Sequence, residues 1–150
     1  GFAFAQSAEL PNRHDVLEGI TAAGQPSAAA LDAAAKAGYK SVIDLRALTE
    51  DRGFDEKATV EGLGMSYATL PIDGAAGVSY ENAGALDKLL AELPKPILLH
   101  CATSNRVGAL LALRAKAEGA NSAAALELGV ANGLGGLKGA VEAKLATGRD

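Results

Sequence analysis

The stretch PKPILLHCATSNRVGALLAL, Pro94 to Leu113, passes from an apolar run bounded by prolines, through a histidine and a cysteine, into an Ala- and Leu-rich segment. Ile97 to Leu99 read as a buried strand, and Arg106 to about Ala117 as a helix of good helix formers. Between them lie His100, Cys101 and the loop residues Ala102, Thr103, Ser104 and Asn105. A strand, a short loop and a helix make an anion site. Successive loop N–H groups and the first helical turn point at one spot, with the positive end of the helix dipole behind them. A thiol at the rim of such a nest, near a guanidinium, is expected to exist partly as thiolate, the nucleophilic form. Arg106 adds a planar fork of donors that matches an edge of phosphate or sulfate. Position alone also fits Cys101 as a buried small hydrophobe.

Outward from this segment the chain alternates strand and helix. Ile20 to Ala23 read as a short extended segment, followed by Gly24 and Pro26 as turn residues and Ser27 as the N-cap of a helix over Ala28 to Ala37. Ser41 to Leu45 suit a central strand, and a helix over about Asp55 to Leu63 follows, closed by Gly64. Met65 to Ile72 read as another strand. Ser79 is expected to cap a helix from Tyr80 to Leu93, and Asn121 another beyond the break at Gly119. The Gly-rich run ANGLGGLKG, Ala131 to Gly139, lacks the preceding strand that a dinucleotide fingerprint needs and reads as a helix connection. The pattern predicts an α/β fold with a central, mostly parallel sheet flanked by helices.

The 150 residues suit one domain over 11–150, preceded by a tail over 1–10. With 4% aromatic residues and no Trp, the core must be built from Ala, Leu and Val, so helices should pack closely through small residues. A net charge of -4 argues against nucleic acid and anionic membrane as partners. No apolar run approaches the roughly 18 to 20 residues of a membrane span. Ala3-Phe4-Ala5 resembles the small-x-small end of a secretory signal, which points to a periplasmic or secreted protein; an ordinary tail on a cytoplasmic protein is the other reading. His14 and His100 are the only histidines, and neither has metal-ligand spacing to a carboxylate or thiol, so no metal or other cofactor is expected. His14, beside Asp15, reads as a surface residue. Nothing in the sequence speaks to oligomeric state.

The segments GQPS (Gly24–Ser27), GYKSVIDLR (Gly38–Arg46) followed by Glu50, and HCATSNRVGALLAL (His100–Leu113) together resemble the cysteine-dependent phosphatase superfamily of the protein tyrosine and dual-specificity type. More closely, they resemble the bacterial phosphatase-like domain that also occurs fused to beta-lactamase-like hydrolases. The resemblance covers about Ile20 to Ala117. It implies a dual-specificity phosphatase-like fold and hydrolysis of a phosphate ester, on a small molecule or a phosphoprotein, through a thiophosphate on Cys101. Arg106 and the amides of Ala102, Thr103, Ser104 and Asn105 would hold the phosphoryl oxygens. His100 would help order the loop. The general acid would be an Asp on a loop ahead of the nucleophile strand, the place Asp73 occupies, although Asp73-Gly74 is also an ordinary turn dipeptide. Glu50 and Asp51 are alternative acids, and Arg46 would add positive charge near the pocket.

The chain departs from the common phosphatase signature in three ways. Four residues rather than five separate Cys101 from Arg106, a size that rhodanese-type sulfurtransferases use to hold a persulfide. Ser104 stands where these loops usually carry Gly, and Val107 where a Ser or Thr often follows the Arg. Two further readings therefore stand beside the phosphatase: a sulfurtransferase carrying a persulfide on Cys101, and a catalytically weak module that only binds anions.

Overall fold

The computed structural model describes residues 7–150. The Ala3-Phe4-Ala5 pattern lies outside them, and so does most of the 1–10 tail. Of that tail's described part, Leu10 packs against the core and the Ser7 carbonyl accepts a 2.8 Å hydrogen bond from Ser27.

In chain order the elements are β1 (His14–Leu17), β2 (Ile20–Ala23), α1 (Ala28–Lys36), β3 (Ser41–Asp44), α2 (Glu56–Gly62), β4 (Ser66–Thr69), a 3₁₀ turn (Gly74–Gly77), α3 (Tyr80–Glu92), β5 (Ile97–His100), α4 (Asn105–Ala117), α5 (Ser122–Ala131) and α6 (Lys138–Thr147). The sheet runs β1-β2-β5-β3-β4, with only β1 antiparallel. This is the mostly parallel α/β sheet that the strand and helix alternation predicts. β1 is an addition: its burial is irregular and its pairing with β2 shifts register, so its sequence carries no clean alternation. It places His14, half-buried, on the edge strand.

Strand parity builds the layers. Ala23, Val42 and Leu98 pack with Leu31 of α1 and Val60 of α2, while Ile43, Ile97 and Leu99 pack with Leu86 and Leu90 of α3 and Leu110 of α4. Successive side chains on a strand point to opposite faces. α4 is buried from Val107 through Leu113 because α5 and α6 cover the side that the sheet and α3 do not. Small residues make that packing possible: a Cβ at Gly108 would lie 2.5 Å from the Gly129 carbonyl oxygen, and one at Gly129 would lie 2.9 Å from Ala112 Cβ. Ser27, Ser79 and Asn121 cap their helices as expected, each accepting from the amide three residues on at 2.8 to 3.0 Å. None of the described helices is long and apolar enough to cross a membrane.

Candidate active site

The register aligns Ala23, His100, Asp44 and Thr69 in one row at the carboxyl ends of the four parallel strands, the edge at which open α/β sheets bind ligands. Cys101 is the next residue of β5's chain. By strand parity Cys101 turns to the α3/α4 face and His100 to the α1/α2 face, so the two neighbours do different work.

Cys101 is 1% exposed and packs with Val107 at the floor of the loop. The chain leaves β5, turns through Ala102 and Thr103, and reaches Ser104 at φ +72°, the left-handed region that favours glycine. Ser104 adopts it with its hydroxyl donating to the Asn132 carbonyl at 2.7 Å, which offsets a backbone cost of about 1 kcal/mol. Because the hydroxyl is turned to Asn132, it does not cap α4. The first N–H groups of a helix have no intrahelical partner. Among the described residues no side chain caps those of Asn105, Arg106 and Val107, and Cys101 stands at the start of the same loop.

Arg106, in the first turn of α4, is clamped from the far side. Both of its Nη atoms donate to the Glu50 carboxylate, Nη2 to Oε2 at 2.9 Å, and Nη1 also donates to the Ile72 carbonyl at 3.1 Å. The Nε–H and the second Nη2 hydrogen, on the other edge of the guanidinium, meet no oxygen acceptor among the described residues, and the Cys101 thiol lies close enough to interact with the group. The hydrogen bond to Glu50, and against desolvation the nearby Cys101, raise the basicity of Arg106. The same hydrogen bond, ahead of opposing desolvation, holds the Glu50 carboxyl below its usual range. Glu50 is thus a carboxylate that fixes Arg106. Asp51 is exposed and accepts from the Gly53 amide at 2.8 Å.

Asp73 follows Ile72, whose carbonyl Arg106 holds, and stands exposed at the start of the 3₁₀ turn without a side-chain cap bond. The structure brings Cys101, Arg106 and Glu50 together and tethers Asp73 one residue away from the Arg106 contact.

Arg46 corrects the sequence reading. It is fully buried on the α1/α2 face, donating to Asp44 from Nε at 2.9 Å and Nη2 at 3.0 Å and to Glu56 from Nη2 at 3.2 Å, and so lends no free charge to a pocket. Its Nη1 is buried without a partner among the described residues. Glu56, which sequence reasoning missed, is 1% exposed at the start of α2 and lies 2.7 Å from His100 Nε2. His100 Nδ1 lies 3.0 Å from the Cys101 carbonyl, which can only accept. With Nδ1 donating, the short contact to Glu56 requires a proton there as well, either on Nε2 or on the carboxyl. The His100 and Glu56 pair is then neutral overall. Arg52 also reaches Asp44 Oδ2, at 3.2 Å, so the buried Asp44 carboxylate is paired with two guanidinium groups. Burial would raise Asp44, but the Arg46 hydrogen bonds and the neighbouring positive charges outweigh it and hold the carboxyl at about 2. Tyr67, donating to Asp44 at 2.9 Å, has its phenol raised by burial and by that carboxylate. Asp44, Glu56 and His100 are close enough together to ligate a cation, but Arg46 already satisfies both carboxylates. A metal ion would have to displace it.

The chain has the α/β fold of the cysteine-dependent tyrosine and dual-specificity phosphatases. It is similar to a Neisseria meningitidis protein described as a phosphatase (21% identity, TM-score 0.75, 96% of this chain and 100% of that one) and to the Siw14 catalytic core (14% identity, TM-score 0.71, 97% and 89%). It is also similar to TpbA of P. aeruginosa, in a cysteine-to-serine form in complex with phosphotyrosine (19% identity, TM-score 0.60, 97% and 96%). In sequence, it is 30% identical over 100 residues to a beta-lactamase hydrolase-like protein of Agrobacterium fabrum. That match takes in 64% of this chain and spans 23% of the relative's length. No family model matches the chain.

Proposed function

We propose that the chain is a cysteine-dependent phosphatase acting on a phosphate monoester, on a small molecule or a protein, without a metal. The observation that carries this is the pairing of Cys101 with a helix start that no side chain caps and with an arginine whose free edge is held in place by Glu50. The phosphatase neighbours support the same reading, and TpbA's complex with phosphotyrosine shows one phosphorylated ligand that a protein of this fold holds.

In the first step the Cys101 thiolate attacks phosphorus and the ester P–O bond breaks, leaving a thiophosphate. The loop amides and Arg106 stabilise the charge on the equatorial oxygens. Asp73 gives its proton to the leaving oxygen. In the second step water attacks phosphorus, Asp73 takes its proton, and the S–P bond breaks to return the thiolate and inorganic phosphate. Glu50 orients Arg106, and His100 fixes the Cys101 carbonyl, so both act through a neighbour.

The four-residue loop favours one second reading, sulfur transfer through a persulfide on Cys101. A paired assay separates them: aryl phosphate hydrolysis and thiosulfate-to-cyanide sulfur transfer, each with Cys101→Ser as control. Phosphate release that disappears in Cys101→Ser is the expected result. Sulfur transfer without phosphate release would replace the proposal, and orthophosphate binding without either turnover would reduce the chain to an anion-binding module.

A further inference from the structure

The ANGLGGLKG run, Ala131 to Gly139, has a task that a bare helix connection does not need. Two consecutive residues at the end of the Cys101 loop put their side chains into it. Ser104, fully buried, donates to the Asn132 carbonyl at 2.7 Å, and Asn105 Oδ1 accepts from the amides of Gly135 at 2.8 Å and Leu137 at 3.2 Å. The opposite end of the loop is held elsewhere. The Gln25 amide donates to the Ala102 carbonyl at 2.9 Å, and Gly24 and Thr103 form an isolated bridge. The loop is therefore fixed from two sides, by the turn after β2 and by the connection from α5 to α6.

The far side is matched to Ser104. Gly133 has φ +103°, and a Cβ there would lie 2.6 Å from Ser104 Cβ and 2.8 Å from its Oγ. A serine at the left-handed position of the loop thus fits only because the facing position has no side chain. Leu134 is equally close: a Cβ at Gly108, one turn into α4, would lie 2.4 Å from its amide nitrogen.

We infer that the segment from Asn132 to Leu137 is a positioning element of the anion site. It sets the direction of the Ser104, Asn105 and Arg106 amides through the Ser104 and Asn105 side chains, and Ser104 with Gly133 forms a size-matched pair. The inference rests on the phosphatase reading for its catalytic meaning, but the geometry of the loop can be read without turnover. Residues about thirty positions beyond the cysteine then control how tightly an oxyanion is held, without touching it.

The test is a double-mutant cycle on the full chain with Gly133→Ala, Ser104→Gly and the pair combined, since coupled neighbours are non-additive. Inorganic phosphate affinity is measured by calorimetry and exchange of the 102–107 amides by hydrogen-exchange mass spectrometry. Gly133→Ala should weaken phosphate binding at least tenfold and speed exchange of those amides. Ser104→Gly alone should weaken binding by losing the bond to Asn132, and the combined variant, with the clash relieved and Asn105 still anchored, should bind phosphate and protect those amides better than Gly133→Ala, a rescue that general destabilisation by an alanine at positive φ would not give. Phosphate affinity within twofold of the parent in folded Gly133→Ala, or no rescue in the combined variant, would overturn the inference. Should Gly133→Ala fail to fold, Asn105→Ala decides: faster exchange of the same amides is expected, and unchanged exchange overturns it. Absence of phosphate binding and of hydrolysis in the parent chain would count against the phosphatase reading, while the exchange cycle would still judge the positioning.

Discussion

Replacing Glu56 should separate the hydrogen bonds of the buried network from its charge. Glu56 accepts from Arg46 Nη2 at 3.2 Å and shares a proton with His100 Nε2 at 2.7 Å, both out of contact with water. In Glu56→Ala His100 Nε2 loses its partner and Arg46 Nη2 keeps only Asp44, at about 1–3 kcal/mol for each lost contact, and the missing methylene and carboxyl leave a small void. The total is about 3–5 kcal/mol, as for other buried pairs that lose one member. At this chain length that lowers Tm by roughly 10–15 °C. Glu56→Gln keeps the shape. Its carbonyl can still accept from Arg46 and its amide can donate to a neutral His100, so the loss should stay near 1 kcal/mol. Urea unfolding at pH 7, followed by far-UV circular dichroism, reads both variants against the parent. A cost for Glu56→Ala below about 1 kcal/mol, or equal costs for Ala and Gln, would refute the reasoning, because the contacts would then contribute nothing beyond filling space.

Acid should act through Asp44. Its carboxyl is held at about 2, below its unfolded value, so the stabilisation is complete above pH 4 and is lost as pH falls towards 2; the linked free energy is about 2 kcal/mol. Denaturant titrations at several pH values should show that slope, and Asp44→Asn should flatten it; equal slopes would contradict the assignment. Asp73→Asn should slow hydrolysis of phenyl phosphate by roughly 10²–10⁴-fold and of p-nitrophenyl phosphate far less, because the better leaving group needs no proton. Equal effects on the two substrates would remove Asp73 as the acid. Leu110→Ala, in the fully enclosed stretch of α4, should cost about 2–5 kcal/mol by calorimetry or urea titration. A smaller cost would mean that α4 is less enclosed than its burial implies.

What the sequence made legible was local. The caps at Ser27, Ser79 and Asn121 and the buried strand at Ile97–His100 are properties of a few neighbouring residues, and each stands where the pattern placed it. The proximity of Cys101 to Arg106 followed from one short loop. Contacts across the fold were not legible. Glu56 meets His100 from 44 positions away, and nothing in GFDEKAT distinguishes it from the exposed Asp55 and Lys57 beside it. One signal was available: Asp44 lies inside the apolar SVIDL run, and a charge in a strand buried on both faces must be paired. That argues for buried cations nearby and against Arg46 as a free contributor to a pocket. β1 escaped notice because an edge strand with exposed Asp15 and Val16 and a register shift offers neither alternation nor an apolar run.

The two-sided hold on the cysteine loop also bears on the order in which the molecule can be completed during synthesis. By Ala117 a growing chain has made Cys101, Arg106 and the helix behind them, yet the partners of Ser104 and Asn105 lie between Asn132 and Leu137. Until that later segment emerges, Ser104 has only the unfavourable half of its bargain: a left-handed backbone with no bond to hold it. The cysteine loop is thus encoded early in the chain and is fully held only late, once α5 has turned back across α4.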